Sequence, residues 1–159
     1  MKGRDAAEAA CPVDVSGMIN IGMVAPCLHH VLVATRDLEK SKHFYREVLE
    51  LREIERPNFS FGGAWFQFGG GQHLHIVIQD NATLRGDKML DTTDIHFALG
   101  MTSFTKTADW LRSKGFSEDL PESDMRRMVL RPHSIVGRPQ IYIMDPDHNI
   151  IEFICDAFE

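Results

Sequence analysis

The stretch LHHVLVATRDLEKSKHFYREVL (Leu28–Leu49) opens as a strand and continues as a helix. The same order returns in DIHFALGMTSFTKTADWLRSKG (Asp94–Gly115). In the first copy, LHHVLVAT is rich in valine and leucine, and Asp37 stands where a helix N-cap belongs. After it, Leu38, Ser41, Phe44, Tyr45, Val48 and Leu49 recur at helical spacing, which predicts an amphipathic helix. In the second copy Ser103 is the candidate cap and Gly115 the candidate stop. Laying His30 on His96 also brings Asp37 onto Ser103, Leu38 onto Phe104 and Phe44 onto Trp110. A duplicated strand–helix–three-strand unit accounts for this register. Three further strands are expected near Leu51–Arg56, Ala64–Phe68 and His73–Gln79, punctuated by glycines at 62–63 and 69–71. In the second half an irregular stretch precedes the hairpin IYIMDPDHNIIEFI (Ile141–Ile154). One helix followed by several strands, twice over, points to the α+β class rather than a doubly wound parallel sheet.

The domain division follows from this pattern. Residues 1–26 mix charges with small residues up to Pro26 and are expected to form a flexible extension, with Met18 and Met23 as possible alternative starts. Residues 27–80 make the first module, the polar run 81–93 a linker, and 94–159 the second module, all within one domain spanning 27–157.

Polar side chains on apolar strand faces carry the functional argument. Side chains alternate along a strand, so Ile150, Glu152 and Ile154 share a face. A carboxylate there costs several kcal/mol unless something pairs with it, by roughly the penalty for burying any unpaired charge. Three other strands place a histidine in the same kind of setting. His30 lies with Leu28, Leu32 and Ala34, His75 with His73 and Val77, and His96 with Asp94 and Ala98. Neutral imidazoles with one carboxylate suit a divalent first-row metal: zinc, nickel, iron, manganese or cobalt. His29, turned away from His30, and His73, beside glycines, are read as outside the set. His43, His133 and His148 are read as surface residues.

Composition narrows the partners. The chain has 159 residues and a net charge of -6, with 43% hydrophobic and 25% charged residues. That balance gives no electrostatic reason to expect nucleic acid or an anionic membrane. Its three cysteines (Cys11, Cys27, Cys155) are odd in number and lack a CxxC spacing, which fits a reducing cytoplasm. The glycine runs are not phosphate loops, because no GK[ST] follows and no GxGxxG opens a helix. Four arginines, Arg126, Arg127, Arg131 and Arg138, cluster locally, and Arg138 is the candidate for holding a substrate carboxylate or phosphate.

Taken together, HVLVATRDLEKSKHFYREVLEL, GGAWFQFGGGQHLHIV, IHFAL and GRPQIYIMDPDHNIIEFI resemble the vicinal-oxygen-chelate superfamily across residues 28 to 155. That group includes glyoxalase I, extradiol dioxygenases and bleomycin-binding proteins. The resemblance implies two βαβββ modules curled into a cup-shaped mixed sheet around one metal, often with a homodimer completing the site. The ligands it implies are His30, His75, His96 and Glu152, the residues already singled out by their faces. Two departures stand out: His75 occupies the place of the glutamate thought to act as base in glyoxalase I, and Ala34 that of an arginine holding glutathione. Thiol transferases and dioxygenases of this kind use the positions of His30, His96 and Glu152 alone. The usual glycine of the turn is His148, which should cost a little stability.

The expected function is therefore a metal-dependent, glyoxalase-like isomerase or lyase on a small substrate that chelates the metal through adjacent oxygens. Glu152 or His75 would serve as the base, the latter with a pKa near the working range if unbound. Two alternatives are an iron(II) extradiol-type dioxygenase and a non-catalytic small-molecule binding protein.

Overall fold

The computed structural model describes residues 28–80 and 85–159; the 1–26 extension and the start of the linker lie outside them. Strands β1 (His30–Thr35), β2 (Arg52–Ile54), β3 (Gly63–Gln67) and β4 (His73–Ile78) form one sheet in the order β1-β4-β3-β2. Strands β5 (His96–Ser103), β6 (Val129–Arg131), β7 (Gln140–Met144) and β8 (Ile150–Ala157) form the other in the order β5-β8-β7-β6. In each, the first and last strands run parallel and the remaining pairs antiparallel. This is the α+β βαβββ pattern expected from the sequence, found twice.

Local chemistry sets the helix boundaries. Helix α1 (Leu38–His43) starts where the Asp37 side chain accepts from the Lys40 amide at 3.1 Å. Helix α2 (Phe104–Ser113) starts where Ser103 does the same for Lys106 at 3.2 Å. Each cap satisfies an amide that the first helical turn leaves orphaned. Helix α2 stops at the predicted place, with Gly115 at φ 92. The first helix departs from the expectation of a uniform α-helix, because it widens into a π-helical turn over Phe44–Val48. That turn keeps Phe44, Tyr45 and Leu49 buried. Strand β6 emerges from the stretch read as irregular. It has only three residues, paired to β7 with Leu130 opposite Ile141.

Each sheet has one face on the core. Val33, Ala64, Phe66, Leu74 and Ile76 from the first sheet join Ile141, Ile143, Ile151, Phe153 and Cys155 from the second in a single buried cluster with Phe104, Ala108 and Leu111 of α2. Both halves thus share one hydrophobic interior, the dominant favourable term in their association. Gly63 opens β3, and a Cβ there would collide with the Ile76 carbonyl oxygen, so glycine permits the close approach to β4.

The DPDHN turn (Asp145–Asn149) joins the halves. Tyr45 Oη donates to buried Asp145 Oδ2 at 2.7 Å, and Ser41 Oγ donates to Asp147 Oδ2 at 3.0 Å. The Arg36 amide donates to Asp147 Oδ1 at 3.1 Å. Burial pushes the Asp145 carboxyl above its usual range, against the pull of the donors around it. His148 takes φ 67, the left-handed conformation anticipated for a residue in the glycine position. No helix among the described residues is long and apolar enough to cross a membrane.

Candidate metal and substrate site

Strand register decides which side chains meet. On the first sheet, His30 lies opposite His73 and Leu32 opposite His75 in the parallel β1–β4 pair, while Trp65 lies opposite His75 in β3–β4. These residues share the face that points away from the core. His75 is held in a ladder of rings: His30 stacks on it at 4.2 Å between centroids and Trp65 at 4.1 Å. Phe59 packs against Trp65 and stacks on Phe61, and the Arg56 guanidinium lies over both phenylalanines.

His75 is 9% exposed. Burial first, and then the neighbouring imidazoles of His30, His73 and His29, push its pKa down to about 4. That is well below the near-neutral value expected for a free base at this position. Its Nε2 is buried with no hydrogen-bond partner among the described residues, and so is Nδ1 of His73. His73 is half-buried, where the sequence suggested solvent, and His29 turns its Nδ1 to within 3.0 Å of His30 Nδ1.

On the second sheet, Ala98 lies opposite Glu152 in β5–β8, and Tyr142 opposite Glu152 in β7–β8. Glu152 is 6% exposed. Its Oε2 lies 3.0 Å from His96 Nε2, while Gln140 Nε2 donates to its Oε1. Burial first, and then the Glu152 charge, raise the Tyr142 phenol above its usual pKa. His96 Nδ1 sits 2.7 Å from the Asp94 carbonyl oxygen, which can only accept. A neutral His96 therefore carries its proton on Nδ1 and turns the lone pair of Nε2 toward a carboxylate oxygen.

The four predicted ligands fall into two pairs, His30 with His75 on one sheet and His96 with Glu152 on the other. Among the described residues, no group of three or more His, Cys, Asp or Glu side chains is placed to hold one metal ion. The donor chemistry of the His96–Glu152 pair nonetheless fits a divalent metal. Two ligand atoms each about 2.1 Å from one ion and at right angles are about 3 Å apart, and a second-nitrogen bond to a carbonyl is the usual way a ligating histidine is oriented. His75 Nε2, without a partner among the described residues, is a second fit. Arg138, the predicted anion holder, pairs with Asp156 on an exposed surface.

Gln140, Tyr142 and Trp65 were not singled out from the sequence, because each sits at an ordinary alternating strand position. The signal available was the turn. Once DPDHN is read as closing a hairpin, register alone places Tyr142 opposite Glu152.

A family model described as the Glyoxalase/Bleomycin resistance protein/Dioxygenase superfamily matches residues 27–153. Solved structures share the fold. A lactoylglutathione lyase from Agrobacterium tumefaciens is 16% identical, with a TM-score of 0.58 over 83% of this chain and 95% of that one. A genomically encoded fosfomycin resistance protein from Listeria monocytogenes is 20% identical, with a TM-score of 0.58 over 86% of this chain and 96% of that one. A glyoxalase family protein from Enterococcus faecalis is 23% identical, with a TM-score of 0.57 over 80% of this chain and 95% of that one.

Proposed function

The chain belongs to the glyoxalase/bleomycin resistance protein/dioxygenase superfamily, and from that premise we propose that it is a divalent-metal-dependent isomerase or lyase acting on a small molecule with two adjacent oxygens. The observation that carries this reading is His96 Nε2 facing Glu152 Oε2 at 3.0 Å, with Nδ1 turned onto the Asp94 carbonyl. A lone pair facing a carboxylate is relieved by a cation, either a second ring proton or a metal. When bound, the metal would supply Lewis-acid polarisation of the two substrate oxygens.

The chain's own residues do the rest. Gln140 grips one Glu152 oxygen and leaves the other free to serve as ligand or to take a substrate proton. His75, with its pKa near 4, stays neutral at physiological pH and is better suited to ligation than to proton abstraction. Burial on the sheet face keeps water from Glu152 and strengthens its interactions.

The separation of the two pairs is resolved in this reading by a homodimer, in which His30 and His75 of one copy join His96 and Glu152 of another. Among the described residues, strands β1 and β5 are both sheet edges. They or their flanks carry exposed Leu28, Leu32 and Ile95, and an apolar edge strand is a ready surface for a second chain. The test is elemental analysis of protein purified without added metal. One divalent ion per chain is expected, and it should be lost in Glu152→Gln with the fold intact. Metal-free protein that neither binds added nickel, zinc, iron, manganese or cobalt nor loses activity on chelation would overturn the proposal.

A further inference from the structure

Beside the Glu152 pair lies a cavity of about 510 Å³ that the reading above leaves without a role. Gln140 and Tyr142 line it; Gln140 donates to Glu152, and Tyr142 lies opposite Glu152 in the β7–β8 register. Arg131 lines it as well. It lies opposite Gln140 in the β6–β7 register and therefore on the same sheet face. Its guanidinium donates to Thr92 Oγ1 at 2.7 Å, a brace from the segment preceding β5.

The other arginines of the local cluster are engaged elsewhere. Arg138 pairs with Asp156, Arg127 donates to the carbonyls of Glu118 and Leu120, and Arg126 lines a different cavity. Arg131 has no carboxylate within ion-pair distance among the described residues; its single side-chain bond, to Thr92, leaves most of its donors uncommitted. An exposed guanidinium braced by a neutral hydroxyl, in a cavity whose wall residue Gln140 bonds Glu152, is placed to read a planar or tetrahedral oxyanion.

We infer that Arg131, positioned by Thr92, selects an anionic substrate: a small molecule whose adjacent oxygens lie toward Glu152 and His96 and whose carboxylate or phosphonate group occupies this cavity. The inference rests on the proposed metal site and names the substrate class for it. It moves the anion-holding role from Arg138 to Arg131.

Hydroxamates provide the probes, because they chelate a metal through two adjacent oxygens. On nickel-loaded protein, calorimetry would compare neutral acetohydroxamate with N-hydroxysuccinamate and phosphonoacetohydroxamate, which add a distal carboxylate or phosphonate. At least one anionic probe should bind the wild type about tenfold more tightly or better, as a charge-assisted contact implies. Which of the two does so identifies the group. The preference should fall to within about twofold in Arg131→Leu, return in part in Arg131→Lys, and persist in Arg138→Leu. A preference that survives Arg131→Leu, or none in the wild type, overturns the inference.

A parallel arm uses phenylphosphonate on metal-free protein, where no metal contributes. Binding by wild type and its loss in Arg131→Leu supports the subsite, whereas equal binding by both, or by neither, counts against it. Failure of nickel to bind would sink the proposed function, and the metal-free arm would still decide the fate of Arg131.

Discussion

Glu152 and His75 are both buried polar residues, yet the surroundings push them toward different duties. Glu152 has a donor on one oxygen, from Gln140, while the other oxygen faces His96 Nε2 at 3.0 Å. His75 has stacked rings above and below and, among the described residues, no partner for Nε2, so its surroundings oppose charge. Its folded pKa of about 4 lies below the reference 6.5. Between those values the unfolded chain takes up a proton that the folded chain refuses. Its contribution to stability is thus complete above the unfolded value and is lost as pH falls toward the folded one. Metal-free protein should therefore lose up to about 3 kcal/mol between about pH 7 and pH 4 through this residue. Urea denaturation at several pH values checks this, and His75→Gln should flatten the slope. The ionisable members of the site were legible in the sequence because a charge or imidazole on an apolar face is anomalous. Gln140 and Tyr142 were not, since polar residues on a strand are unremarkable until register is known, and Arg131 stood out only as one of a local cluster in which Arg138 was preferred.

At the level of elements, the DPDHN turn is both a hairpin closure and a clamp on the first helix. Asp145 is 1% exposed and accepts from Tyr45, Asn149 and the turn amides. Removing the Tyr45 hydroxyl leaves the other donors to Asp145 but strips one of the contacts by which the turn holds the first half. Tyr45→Phe should cost about 1–3 kcal/mol, the usual penalty for a buried group losing its partner, read as a lower urea midpoint with unchanged secondary structure. The caps at Asp37 and Ser103 were plain from the sequence, because a short polar side chain before an amphipathic run has few other uses. The π-helical turn was not, because apolar spacing reads nearly the same through a locally widened helix. Strand β6 was missed for a simpler reason: three residues beside charged neighbours carry no period.

For the whole molecule, the duplicated unit explains why the predicted ligands come in twos. Each sheet brings one pair together on its outward face, and the shared core leaves the pairs apart within a chain. If two copies complete each site, mixing inactive chains should rebuild one. A His30→Ala/His75→Ala chain combined with a His96→Ala/Glu152→Gln chain is expected to recover metal binding at about half the wild-type stoichiometry or less. Equilibrium dialysis of the refolded mixture reads this, and no recovery in a mixture shown to be dimeric would refute the shared site. The strand order has one more consequence. Each sheet pairs its first strand with its last, and both histidine-bearing seams, β1–β4 and β5–β8, are such long-range pairings. Contacts distant along the chain form late, because the intervening loop must first be ordered. During refolding, the helical signal of α1 and α2 should thus return before affinity for metal does. An ion added early would meet a chain still unable to hold it.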